Sequence, residues 1–190
     1  MQPPRHRAPI PRTRPPDPVP RTLLHALAFL LGLWLALLLW PLYAAAASSE
    51  ADGLAPFAKL EADFHDQVNA VRTSRHLIAL RRLPEIDRIA RAHSLDMASR
   101  RYLSHVSPEG RNPVDRLHAG GVSGFTLAAE NAGMTSRQDP NGEILQGWLH
   151  SDDHRRNLYA PPFNATGVGV AQAPDGTFYY TQLYVTLPRN

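Results

Sequence analysis

The chain has 190 residues, 43% of them apolar, with twenty basic and seventeen acidic side chains, a formal charge of +3 and no cysteine. Five arginines against one aspartate in Met1 to Thr22 contribute +4, so the remainder carries −1, and the pI of about 9.6 gives no support to nucleic-acid binding by the folded part. The lack of cysteine excludes disulfide staples and a thiol nucleophile, and the roughly 135 residues from Pro56 onward are enough for one self-supporting core.

Residues 1–22, with eight of the eighteen prolines, read as a basic cytoplasmic n-region. Residues 23–42 read as a hydrophobic signal or anchor segment. Leu23 to Trp40 is apolar apart from His25, eighteen residues that span about 27 Å as a helix, close to a bilayer core. Pro41 breaks the run, and the small residues from Tyr43 to Ser48 open a cleavage region and spacer, residues 43–56. Two readings stand: a signal peptide cut near Ala46 or Ala47, and an uncleaved anchor that makes the membrane a partner. In both, the arginines keep the N-terminus cytoplasmic and send residues 57–190 to an extracellular, periplasmic or cell-surface location.

Phe57, Leu60, Phe64, Val68 and Val71 recur at helical spacing, with Lys59, Glu61, Asp66 and Arg72 between them as the polar face. A second helix runs from Pro84 to about Arg101, its apolar face formed by Ile86, Ile89, Ala90, His93 and Met97, with Asp87, Arg88, Arg91 and Arg100 off it. Ser104 to Ser123 reads as loop with one helical turn around Val114 to His118, and Phe125 to Asn131 as a short strand. Asp139 as N-cap and Pro140 at the first position announce a third helix with Ile144, Leu145, Trp148 and Leu149 as its stripe. Thr166 to Gln172 and Thr177 to Thr186, separated by Ala173, Pro174, Asp175 and Gly176, predict an antiparallel hairpin. The order is an α+β pattern in which helices cover an antiparallel sheet.

His-Glu-x-x-His, Gly-x-Ser-x-Gly and a phosphate-binding glycine loop are all absent. His105 and His154 sit in loop contexts beside carboxylates or turn residues, and Glu130 lies in an otherwise apolar stretch, where a carboxylate needs a partner. His93 reads as a core histidine. His150 and His154 are four apart, but Asp152 and Asp153 end the helix between them; His65, His76 and His118 read as surface residues. Asn157 and Arg155 read as supports for the loop bearing His154.

The series of Ser104 and His105 before Ser107 and Pro108, then Ala129, Glu130 and Asn131, then Trp148, Ser151 and His154, and finally Gly167, Val168 and Gly169 resembles the CAP superfamily of cysteine-rich secretory, antigen-five and pathogenesis-related proteins, in its bacterial cysteine-free branch. The resemblance covers Phe57 to about Val185 and implies a three-layer α-β-α sandwich with a cleft of two histidines and two acids. Carried over, His105 and His154 are the histidines and Glu130 is the first acid, while the second acid falls at Ser151, with Asp152 or Asp153 as substitutes and Asn131 and Asn157 in support. His105, His154 and Glu130 form a candidate triad for zinc or another divalent cation; the alternative is that the histidines only hydrogen-bond to Glu130 and hold the loops.

The resemblance implies an exported, non-catalytic binding module whose cleft takes a divalent ion, a lipid or an envelope polymer. The rivals are a metal-dependent, protease-like hydrolase, which Ser151 in place of the second acid opposes, and a structural envelope protein with a vestigial cleft.

Overall fold

A computed structural model describes residues 57–188. Its elements are α1 (57–73), β1 (Arg81–Arg82), α2 (Pro84–Arg100), α3 (Pro113–Ala119), β2 (Leu127–Thr135), α4 (Pro140–His150), α5 (Asp152–Tyr159), β3 (Ala165–Gln172) and β4 (Phe178–Thr186). The n-region, the hydrophobic segment and the spacer lie outside the described residues, and no helix among the described residues is long and apolar enough to cross a membrane.

The strand order is β1-β3-β4-β2. β3 and β4 form the expected hairpin, from Ala165 opposite Val185 to Gln172 opposite Phe178, and its turn closes with Gly176 at φ +88° donating to the Ala173 carbonyl. β2 runs antiparallel along the other side of β4, with Glu130 opposite Leu183. Two corrections follow. The sheet is not wholly antiparallel, because β1 pairs parallel to β3 through Arg81 and Arg82, a two-residue charged strand with no periodic signal. β2 also reaches Thr135, four residues beyond the expected end, because Gly133 and its small neighbours dilute the alternation.

Strand alternation sorts the side chains into a three-layer α-β-α sandwich. On one side Ile86, Ile89 and Ala90 of α2 and Leu117 of α3 pack on Ala165, Leu183 and Val185. On the other, Phe64 and Val68 of α1 and Ile144, Leu145 and Trp148 of α4 pack on Val168, Val170, Tyr180 and Tyr184. α2 lies almost on the strand: a Cβ at Gly167 would meet Ile86 C at 2.3 Å, and one at Gly169 would meet Arg91 N at 2.0 Å.

The start signals of α4 hold, with the Asp139 carboxylate accepting from Gly142 N at 3.0 Å. The single turn expected around Val114 is a seven-residue helix, stabilised by a reciprocal capping box in which Asn112 and Asp115 each accept from the other's backbone N–H.

Glu61, Arg72 and Asp87, expected on polar helix faces, are buried. Beyond the short β1, the edge of β3 has no strand partner, and carboxylates satisfy its N–H groups instead: Asp87 Oδ1 accepts from Val168 N at 2.8 Å and Glu61 Oε1 from Val170 N at 3.1 Å. Arg91 Nε and Nη2 hold Glu61 at 2.8 and 2.5 Å, and Arg82 bridges Asp87 and Glu61 at 3.0 Å each. Arg72 donates to the carbonyls of Ile78, Leu158, Ala160 and Phe163, stapling the segment before β3 to α1.

Candidate functional site

Glu130 sits in the middle of β2 on the side of Ala128 and Ala132, which pack against the α2–α3 layer, and its side chain is 1% exposed. The carboxylate is fully engaged. His105 Nδ1 donates to Oε1 at 2.8 Å and Arg116 Nη2 to Oε2 at 2.5 Å. The capped α3 places Arg116, whose Nη1 also donates to the carbonyls of His105 at 3.0 Å and Arg111 at 2.9 Å. From α2, His93 Nε2 donates to the Ser104 carbonyl at 2.9 Å and lies 3.9 Å from Glu130 Oε1. A carbonyl only accepts, so Nε2 carries the proton and Nδ1 of the neutral ring is an acceptor.

His154 is on a helix and not in a loop, a correction to the sequence reading. α4 stops at His150, Ser151 separates the helices, and Asp152 and Asp153 occupy the first turn of α5, where carboxylates face the positive helix end. The His154 ring stacks over Trp148 at 6.0 Å and 29°, with Nδ1 buried and unpartnered. Asn131 Nδ2 donates to the His154 carbonyl at 3.0 Å, and Asn157 Nδ2 to Asn131 Oδ1 at 2.9 Å and to the Glu130 carbonyl at 3.2 Å, so this asparagine pair ties α5 to β2. Arg155 supports the junction by donating to the Leu149 carbonyl at 2.9 Å.

The other sequence candidates fall outside this cluster. Ser151 makes no side-chain capping bond, and the strongly exposed Asp152 and Asp153 pair with Arg155 and Arg156 of their own helix. His150 is exposed, and its Nδ1 bonds to the Gln146 carbonyl instead of turning toward His154. His76 and His118 are on the surface, but His65 is half-buried and bonds to the Leu80 carbonyl at 3.0 Å. Sequence reasoning missed Arg116 and the approach of His93 to Glu130. The Asn112-Pro113-x-Asp115 start signal could have placed Arg116 on a helix, but nothing local names its partner.

The signature of the cysteine-rich secretory protein (CAP) family matches residues 65–184. The chain belongs to the CAP family. Two Bacillus subtilis (strain 168) proteins are similar: YkwD at 32% identity over 105 residues, 55% of this chain and 40% of YkwD, and the membrane protein YlbC at 33% over 120 residues, 63% of this chain and 32% of YlbC. The chain therefore spans less than half the length of these relatives. An extracellular SCP-domain protein of Bacillus anthracis matches with a TM-score of 0.60 at 33% identity, over 68% of this chain and 41% of that one. An outer surface protein of Borrelia burgdorferi shares the fold at a TM-score of 0.60 and 17% identity, over 65% of this chain and 90% of that one.

In this CAP domain His105 and Glu130 meet, but His154 does not complete a triad with them. Among the described residues no three His, Cys, Asp or Glu side chains gather as a metal ion would require. Two features account for this. Glu130 faces the α2–α3 layer while the His154 ring packs on α4, and both Glu130 oxygens are already taken. Arg116 collects one carboxylate and two carbonyl oxygens, the donors a hard cation would use, and so serves as an internal cation. As arranged, the described residues offer no set of three such ligands prepared for zinc or another divalent ion.

Protonation follows the surroundings. The hydrogen bond to Glu130 raises His105 above the usual imidazole value; burial lowers His93; burial and then the His105 charge lower His154. With folded values below the unfolded value of about 6.5, His93 and His154 weaken the fold as pH falls through that value, because the unfolded chain takes up more protons. His105 works oppositely: its contribution is full below that value and is lost as pH rises through its raised folded value. Between pH 7.5 and 5 the thermal midpoint of His154→Gln is expected to fall less than that of the parent, and that of His105→Ala to fall more. Equal slopes in all three proteins would contradict this.

Proposed function

We propose that the chain is an exported CAP-domain protein that acts at the cell envelope or outside the cell as a non-catalytic binding module. The observation that carries this reading is the closed arrangement around Glu130: His105 is half-exposed and bonded to Glu130, Arg116 supplies the neutralising cation, and among the described residues no hydroxyl is hydrogen-bonded to His105 for it to activate. His105 then offers a ligand hydrogen bonds, and the Lewis-acid route of a metal hydrolase has no prepared site. Export is supported by the arginine-rich, apolar and alanine-rich order of residues 1–48, and by the extracellular and outer-surface descriptions of the Bacillus anthracis and Borrelia burgdorferi proteins. Retention of residues 23–42 makes the membrane a partner, whereas cleavage releases the domain; envelope lipids and polymers are within reach in both cases.

The test is a native mass measurement and a zinc titration of the full chain purified in mild detergent. No retained zinc and no rise in thermal midpoint on adding it are expected, with His105→Ala behaving identically. One zinc per chain that disappears in His105→Ala would overturn the metal-free cleft, and hydrolysis of a peptide substrate by that zinc-loaded protein would replace this reading with the metal-dependent hydrolase. Co-purified lipid in the same spectrum would identify a lipid carrier.

A further inference from the structure

Between α2 and α3 lies a pocket of about 380 Å³, within the size range of small-molecule sites. His105 is not in its lining, although His93 and Arg116, which approach Glu130, contribute to its wall. Arg88 and Arg111 line it, and neither pairs with a carboxylate among the described residues; Arg88 has only the Gly120 carbonyl at 3.4 Å. Asp96, the one carboxylate in the lining, is held by the Tyr102 hydroxyl at 2.5 Å and by Arg100 at 3.4 Å, so it does not cancel them. The pocket thus carries a surplus of positive charge.

A second, independent feature points to the same place. His93 is 2% exposed and lines the pocket, and its Nε2–H is spent on the Ser104 carbonyl. Its Nδ1 is then the acceptor of the neutral ring, available to a hydroxyl donor. Ile89, Ala92 and Ala119 provide an apolar wall. The complementary molecule has an anionic group for the guanidinium pair, a hydroxyl to donate to His93 and a C–H face for the wall.

We propose that this pocket binds a small hydroxylated organic anion, of the class of sugar acids and sugar phosphates. Arg88 and Arg111 hold the charge, and His93 accepts from a ring hydroxyl. The guanidinium fork suits carboxylate and phosphate alike, so the two sources share one recognition chemistry. The pocket shares the walls His93 and Arg116 with the Glu130 cluster, but its anion contacts, Arg88 and Arg111, are not part of that cluster, so failure to bind an anion would leave the zinc result above unaffected.

Isothermal titration of the full chain in detergent with glucuronate, glucose 6-phosphate and glucose tests this. At least one of the two anions is expected to bind saturably, and their ratio distinguishes carboxylate from phosphate. Glucose, acetate and inorganic phosphate, each lacking one half of the recognition, should bind about tenfold more weakly or less, as the loss of one charge-assisted hydrogen bond predicts. The Arg88→Gln/Arg111→Gln double variant should lose about tenfold or more, and the exposed single variant Arg111→Gln part of that, while Arg137→Gln outside the pocket should bind as the parent does. No saturable binding of either anion at millimolar concentration, equal binding of inorganic phosphate, or binding unchanged in Arg111→Gln and in the double variant would overturn the proposal.

Discussion

Glu61→Ala is expected to cost about 3–5 kcal/mol of folding stability, the range for removing one partner of a buried ion pair. The Glu61 carboxylate is fully buried and accepts four hydrogen bonds, two from Arg91, one from Arg82 and one from Val170 N. Truncation leaves Arg91 without its carboxylate, Arg82 with Asp87 alone, and one buried edge N–H of β3 without its acceptor. Glu61→Gln keeps the volume and one acceptor oxygen and should lose less than Glu61→Ala. Residues 48–190 retain a single tryptophan, Trp148, which is 3% exposed and packed edge-on against Phe64 of α1, so its fluorescence during urea unfolding reports the same core. A loss below about 1 kcal/mol, the size of an exposed pair, would show that the network is dispensable.

Gly169→Ala is expected to destabilise by more than about 3 kcal/mol, above the ordinary range for an added core methyl. The nearest atoms to the new Cβ are backbone: Arg91 N at 2.0 Å, Ala90 C at 2.2 Å and Arg91 Cα at 2.4 Å. A side chain could rotate away, but here α2 as a whole must lift from β3, and with it the Asp87 and Glu61 contacts to the strand edge. Gly147→Ala is the matched control. It lies on an exposed face of α4 with nothing within 4 Å of a Cβ, and should stabilise by about 0.5–1 kcal/mol through helix propensity. If Gly169→Ala unfolds at the parent's urea midpoint, α2 does not lie where the structure has it.

Both predictions concern residues whose importance is invisible locally. Gly167 and Gly169 stood out as a family motif, yet only the docking of α2 gives a physical reason for the absent side chains. Glu61 looked like any charged residue between apolar helix positions. Its partner Val170 lies 109 residues away, and no periodicity encodes that meeting.

What the sequence by itself determined was whatever depends on neighbours along the chain. The charge block and apolar run before residue 48, the apolar faces of α1, α2 and α4, the Asp139-Pro140 start of α4 and the Pro174-Asp175-Gly176 turn of the hairpin are local devices, and the order of motifs carried the CAP identity and its α-β-α layers. Tertiary structure alone decided which polar groups are buried and with whom: the Glu61–Arg91 and Arg82–Asp87 pairs at the edge of β3, Arg116 as the cation beside Glu130, His93 drawn to within 3.9 Å of that carboxylate, and His154 turned onto Trp148 instead of joining it. The reason is that burying an apolar face is rewarded wherever it docks, so its pattern is written along the chain, whereas a buried charge is tolerated only beside a specific partner that the fold brings from elsewhere.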